Sequence, residues 1–251
     1  MTPHEYSEDQ LVEQPAIGLF AGMGWETVSA LDETFGAHGS LGRETKGEVV
    51  LAPRLRAALV KFNPDLPGEA LETAIDELIR DRSAMSLVAA NREIYALLKD
   101  GYKVSVPDPL HGGQKEERVR FLDWVSPERN DFLLVSQLSV VGNLYTCRPD
   151  LVGFVNGLPM IVAELKRPGV AARTAFDENL THYKREIPAL FRTNALLIAT
   201  NGSDSRVGSV TADWERFFEW KRIESEDEPR RVSLEVMIRG TCYKGRFLDI
   251  L

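Results

Sequence analysis

Residues 148–168, RPDLVGFVNGLPMIVAELKRP, place Asp150 at one end of an apolar stretch and Glu164 and Lys166 at the other. Charged groups at the mouth of a buried stretch need partners, because an unpaired charge is costly to take out of water. Two carboxylates brought to one point repel unless a cation sits between them. A hard divalent ion with oxygen ligands suits such a pair, Mg²⁺ first and Mn²⁺ as its substitute. Such an ion polarises a phosphate oxygen, acidifies a water and steadies the leaving oxygen, while a lysine beside it can orient or help activate that water. The chemistry on offer is phosphodiester hydrolysis without a covalent intermediate. Asp150, Glu164 and Lys166 would be the catalytic groups, with the backbone carbonyl of Leu165 as a further oxygen ligand. Glu-x-Lys alone is common as an ion pair on exposed strands. The apolar hairpin between the charges is what sets this one apart.

The hairpin must bring its ends together on one face. Side chains two apart on a strand share a face, so Glu164 and Lys166 point the same way. A two-residue turn at Asn156-Gly157 would set Asp150 across from Ala163 and turn Glu164 to the other side of the sheet. A three-residue loop, Asn156-Gly157-Leu158, would pair Val155 with Pro159 and set Asp150 across from Glu164, with Cβ atoms about 5 Å apart. Gly157 can supply the left-handed residue that such a loop needs. A β-bulge would restore the same parity. Either arrangement would bring Asp150 and Glu164 to one face.

Around this hairpin the pattern is mixed. The first 25 residues read as a helix ended by GMGW, with Leu11, Val12, Ala16, Leu19 and Phe20 on one face and a kink or late start at Pro15. Residues 26–48 look like strand fragments and loop. Helices are predicted from Leu55, Leu59 and Phe62; from Leu71, Ile75, Leu78 and Ile79 after Pro67; and from Leu87, Ile94, Leu97 and Leu98, stopped by Gly101. YKVSV, ERVRFLDW and DFLLVSQLSVV then read as strands, DLVGFV and MIVAEL as central strands covered on both faces, and NALLIAT as another. TAFDENLTHYKREIPALF is amphipathic, with Phe176, Leu180, Tyr183 and Ile187 inward and Thr174 as its cap. SLEVMIRG and GRFLDIL read as short helices beyond an acidic linker, 223–231, and the chain stops in mid-pattern, as if a further domain followed. A helical N-terminal third therefore leads into a mixed sheet flanked by helices.

Composition narrows the function classes. No run of ~18 apolar residues exists, and the acidic opening MTPHEYSEDQLVEQ has no signal-peptide core, so a cytoplasmic protein away from the membrane is expected. Two scattered cysteines, Cys147 and Cys242, read as reduced thiols and, with four histidines, give no zinc spacing. The net charge of −8 opposes any protein whose affinity comes only from neutralising phosphates. A local groove could offset it, built from Lys166, Arg167, Arg173, Lys184, Arg185 and Arg192. Trp214, Phe217, Phe218 and Trp220 could stack bases but fit a core or an interface better.

RPDLVGFVNGLPMIVAELKRP resembles the PD-(D/E)xK nuclease motif as it stands in the R (HsdR-type) subunit of type I restriction enzymes. NDFLLVSQLSVVG is similar to the strand that precedes the motif there. AFDENLTHYKREIPALFRTNALLIATNG, SRVGSVTADWERFFEWKR and the opening LVEQPAIGLFAGMGWE are similar to its neighbours, so the resemblance covers nearly the whole chain. It implies an α/β (α+β mixed) restriction-endonuclease-like domain over 1–222, a central mixed sheet flanked by helices with the helical segment of about 50–100 included, then a linker and the start of a motor over 223–251. Metal-dependent cutting of duplex DNA without sequence preference is implied, with modification and specificity subunits as partners. ATP would act only through the motor, since no G-x-x-x-x-G-K-[ST] occurs in this chain. Residue by residue, Asp150, Glu164 and Lys166 take the motif positions. An acid on the first helix, Glu13 with Glu8 behind it, would complete the metal ligands. Asn179 and Tyr183 fall where many members carry Gln-x-x-x-Tyr, one helical turn apart, with Lys184 alongside as a DNA contact. A stand-alone nuclease of the superfamily and a non-catalytic docking domain of the same fold are the rival readings.

Overall fold

The computed structural model describes residues 8–36 and 38–251, so readings that fall on residues 1–7 lie outside the described residues. A π-helical turn, Asp9–Glu13, runs into α1 (Gln14–Gly22). The wider register ends where Pro15, which has no N–H to give back along the helix, enters it. Val12, Ala16 and Phe20 are buried as expected, but Leu11 faces outward. β1 (Glu26–Ser29) follows, then α2 (Ala52–Phe62), α3 (Gly68–Ile79) and α4 (Leu87–Asp100). These three are the expected helices, except that Ile79 points to solvent. β2 (Tyr102–Pro107) and β3 (Gln114–Val119) pair with each other alone. The strand expected through Trp124 stops at Val119, because the Asn63 side chain takes the Arg120 backbone, accepting from its N–H at 2.8 Å and donating to its carbonyl at 3.0 Å.

The strand expected across residues 131–141 is interrupted. β4 (Phe132–Ser136) ends before Gln137, whose φ of 58° turns the chain out of the sheet, and pairing resumes in a small hairpin of β5 (Val140–Val141) and β6 (Thr146–Cys147). β7 (Leu151–Val155) and β8 (Leu158–Leu165) come next, both fully buried. α5 (Ala172–Thr174), a π stretch (Ala175–Leu180) and α6 (Thr181–Glu186) form one continuous helical run. The run begins after Ala171, so Thr174 lies within it and does not cap it. β9 (Leu196–Thr200), β10 (Ser205–Gly208), α7 (Ser233–Cys242) and α8 (Lys244–Ile250) complete the chain.

The main sheet has the order β1-β4-β7-β8-β9-β10, with β1/β4 and β8/β9 parallel and the other neighbours antiparallel. This is the mixed α/β architecture the sequence predicts. One face packs on α1 to α4, α7 and α8 through Phe20, Leu59, Ile161, Ile198, Met237 and Phe247. The other packs on the α5–α6 run through Val152, Val162, Phe176, Leu180 and Tyr183. Parallel pairing of β8 with β9 puts their C-terminal ends at one edge, beside the start of β7 and the end of β4. Aromatic residues considered as base stackers are spent on packing: Trp214 stacks on buried Phe217 with centroids 5.7 Å apart, and Trp220 covers Gly240, where a Cβ would lie 2.2 Å from its ring. Phe218 is half exposed.

Candidate active site

The hairpin turn has two residues, not three: Val155 pairs with Leu158, and Asn156 and Gly157 have φ of 51° and 79°. Positive φ at both central positions is the type I′ turn that Asn-Gly favours. Gly157 is required twice over, since a Cβ there would also meet the Leu51 carbonyl at 2.4 Å. Left alone, this turn would send Glu164 to the wrong face. The register shifts once along the ladder, however, from Phe154↔Pro159 to Gly153↔Ile161, leaving Met160 as the extra residue. Pro159 has no N–H for the ladder, so the pairing yields beside it, and the bulged Met160 carbonyl accepts instead from Ala195 N at 2.8 Å. Leu151 then opposes Ala163, and continuing the ladder by one residue sets Asp150 opposite Glu164.

The two acids meet at the end of the sheet. Asp150 Oδ2 accepts from the Leu165 backbone N–H at 2.8 Å. Glu164 is only 3 % exposed; its Oε1 lies 3.5 Å from both Lys166 Nζ and Tyr183 Oη, and its Oε2 is buried with no hydrogen-bond partner. Burial pushes the Glu164 carboxyl well above the usual carboxylate range, and the Asp150 charge adds to this against the pull of Lys166. Burial also raises Asp150, against the Leu165 amide, Lys166 and Gln137. A nearby positive charge would favour the ionised form of two carboxyls raised in this way.

Glu13 reaches the same place from the first helix. It is buried, and its two oxygens accept from Gln137 Nε2 at 3.1 and 3.0 Å, while the same nitrogen lies 3.5 Å from Asp150 Oδ1. Burial raises the Glu13 carboxyl, the Gln137 amide opposes this, and Asp150, Asp9 and Glu8 add to the rise. Glu8 lies far enough back to act on Asp150 by charge alone. Asn179 donates to Tyr183 Oη at 3.3 Å, and of the pair one turn apart it is Tyr183 whose hydroxyl lies 3.5 Å from Glu164 Oε1. Burial beside Glu164 raises the Tyr183 phenol, which stays protonated as a donor.

The basic residues scatter. Lys184 Nζ sits over the Phe176 ring at 5.4 Å, and burial lowers its ammonium against the pull of Asp213. Arg173 pairs with Asp177, Arg185 with Glu186, and Arg192 with Asp81 on the helical side of the molecule. Arg167 is exposed next to Lys166. Cys147 and Cys242 are free and buried, and burial raises both thiols, Cys242 up to about 12. Gln137 is the residue that sequence reasoning missed. Its signal was a lone amide within the apolar run LLVSQLSVV.

Among the described residues no group of three or more His, Cys, Asp and Glu forms a ready metal cage. The donors nevertheless fit a hard ion of few protein ligands: Asp150 faces Glu164, whose second oxygen has nothing to bind, and such ions are commonly held by one or two carboxylates and waters. Among the described residues no helix is long and apolar enough to cross a membrane.

Comparison with known proteins identifies the family of the chain. Residues 5–216 match the family described as Type I restriction enzyme R protein N terminus. The chain is 34% identical over 251 residues to the type I restriction enzyme HindI endonuclease subunit of Haemophilus influenzae, covering 96% of this chain and 23% of that protein. It is 29% identical over 255 residues to the putative type I restriction enzyme MjaIXP endonuclease subunit of Methanocaldococcus jannaschii, covering 98% of this chain and 24% of that one. A shorter match, 36% identical over 93 residues, joins it to the type I restriction enzyme SsaAORF53P endonuclease subunit of Staphylococcus saprophyticus, covering 37% of this chain and 10% of that protein. The chain thus spans about a quarter of the length of the first two relatives. It belongs to the family of type I restriction enzyme R protein N termini.

Proposed function

We propose that this chain is the endonuclease domain of a type I restriction enzyme, hydrolysing phosphodiester bonds of duplex DNA with a divalent cation held by Asp150 and Glu164. The observation that carries this is the unpartnered, fully buried Glu164 Oε2 on the face that Asp150 shares. A neutral residue would stabilise the metal-free fold better there, so the carboxylate is kept for something that binds it. Mg²⁺ is the ion we propose, with Mn²⁺ able to replace it and the Leu165 carbonyl and Glu13 as supplementary oxygen donors.

When bound, such an ion would polarise a phosphate oxygen and acidify a water. The protein's own groups do the rest. The Leu165 amide fixes the rotamer of Asp150. Tyr183 and Lys166 both approach Glu164 Oε1, which leaves Oε2 for the ion. Lys166, with its side chain 17 % exposed, has its ammonium beside the carboxylates yet within reach of solvent. It can hold a water against the phosphate and offset the negative charge that builds there. Lys184 and Asn179 serve at most as flanking contacts in this reading.

Recognition of a DNA sequence is assigned to specificity and modification subunits, and ATP to a motor region elsewhere in the protein. Because α7 and α8 share the core of the sheet, we include both in the folded nuclease unit and treat 223–231 as an excursion within it, in place of a boundary at 222. The test is plasmid cleavage in Mg²⁺ and ATP by the complete restriction enzyme and its Asp150→Ala form. Cleavage lost only in the variant is expected, and equal cutting by both would remove the assignment. A non-catalytic docking role predicts that equality.

A further inference from the structure

Among the described residues, two that are not glycine hold φ in the left-handed region, Asn156 and Gln137. Asn156 opens a type I′ turn, which demands it. Gln137 serves no such turn. A strained backbone of this kind persists only where the surroundings over-determine it, and here the surroundings are two acids. The Gln137 N–H donates to the Asp150 carbonyl at 2.8 Å. Its side-chain nitrogen holds both oxygens of Glu13, at 3.1 and 3.0 Å, and reaches Asp150 Oδ1 at 3.5 Å. Leu138, next in the chain, is fully buried, so the loop cannot swing away to relax. Glu13 and Gln137 stand 124 positions apart in sequence, so this side-chain bond ties two distant segments together. Without the amide, the two carboxylates would face each other with only repulsion between them.

We propose that Gln137 is a positioning residue: its side-chain amide clamps the Glu13 carboxylate beside Asp150 and so makes the first helix part of the cation site. The inference rests on the cation reading of Asp150 and Glu164. Removing the amide frees Glu13 to turn toward solvent and withdraws its charge from the site.

The test is calorimetric titration of Mn²⁺ alone into the 251-residue chain, with Asp150→Asn as the control for the site itself. Gln137→Ala and Gln137→Gly should both weaken Mn²⁺ binding about ten- to a hundredfold, the usual effect of losing a group that orients a ligand. The glycine form should nevertheless melt above the alanine form, since glycine tolerates the backbone angle. This separates affinity from stability. Adding Glu13→Gln to Gln137→Ala should cost little further affinity. Wild-type affinity in either Gln137 variant, with binding lost in Asp150→Asn, overturns the proposal, as does simple additivity of the two losses. If Asp150→Asn binds as the wild type does, the cation reading itself fails. Metal-free melting then decides the clamp: effects of Glu13→Gln and Gln137→Ala that fail to add sustain it, and effects that add overturn it.

Discussion

Glu164 is where chemistry and stability pull in opposite directions. A carboxyl whose folded pKa lies above its unfolded one binds its proton more tightly in the folded state. Below the unfolded pKa both states are protonated and nothing is lost. As pH rises past it the unfolded chain ionises first, and the fold weakens until the folded pKa is passed. Metal-free Glu164→Gln should therefore be more stable than the wild type by about 1–3 kcal/mol at pH 8, the range for leaving a buried polar group unsatisfied. The gap should close toward pH 4, as read by chemical denaturation at each pH. Adding Mg²⁺ should raise the wild-type melting temperature and move the variant much less, because only the wild type keeps both facing carboxylates. No gap at pH 8 would mean that Oε2 finds a partner in solution. Asp150, Glu164 and Lys166 could be picked out as candidates from hairpin parity and the family resemblance together, since type and spacing alone are common. Gln137 could not, because its meaning depends on a left-handed φ and on a carboxylate 124 positions away.

At the scale of elements, the hairpin shows why parity could be inferred and its cause could not. A site needs Asp150 and Glu164 on one face, and both a longer loop and a bulge satisfy that requirement. Asn-Gly prefers the two-residue turn, and Pro159 then supplies the fault in the ladder that corrects the register. Deleting Met160 should remove the extra residue and rotate Glu164 to the opposite face. The complete enzyme carrying that deletion should lose plasmid cleavage, while Met160→Leu, which keeps the count and the bulk, should retain it. Cleavage that survives the deletion would show that the register corrects itself elsewhere. Gly157→Ala probes the turn itself. It forces a side chain into positive φ and against the Leu51 carbonyl, so a loss of about 1–3 kcal/mol is expected in urea denaturation. The amphipathic helices were readable from their periodicity, but the π turns before Pro15 and after Thr174 were not, since both registers bury the same kinds of residue.

At the scale of the whole molecule, two features of the sequence that looked contrary become consistent. An acidic chain makes a poor free DNA binder, and Arg173, Arg185 and Arg192, which follow the motif in sequence, are engaged with acids of their own. The isolated chain should therefore bind a short duplex weakly, with a shallow dependence on salt, because few counterions are released. A steep slope in a fluorescence titration would show a basic groove that the ion pairs conceal. The C-terminal helices bear on whether the folding unit extends past residue 222. Leu234, Met237, Ile238, Cys242, Phe247 and Leu248 are all buried in the core that packs under the sheet, and Trp25 donates its indole N–H to the Cys242 carbonyl at 3.1 Å. Trp25 also meets Phe20, Phe132 and Phe247 edge-on, so it joins α1, the sheet and α8 in one cluster. Burying each such side chain contributes about 1.5–3 kcal/mol. The five helix residues other than Cys242 together are comparable with the whole net stability of a typical domain, roughly 5–15 kcal/mol. A chain ending at residue 222 should accordingly lose cooperative melting by circular dichroism and show a red-shifted, solvent-exposed tryptophan emission. If that shorter chain instead melted as sharply and as high as the full one, α7 and α8 would be an appendage, and the unit that carries the site would stop at the boundary expected from the sequence.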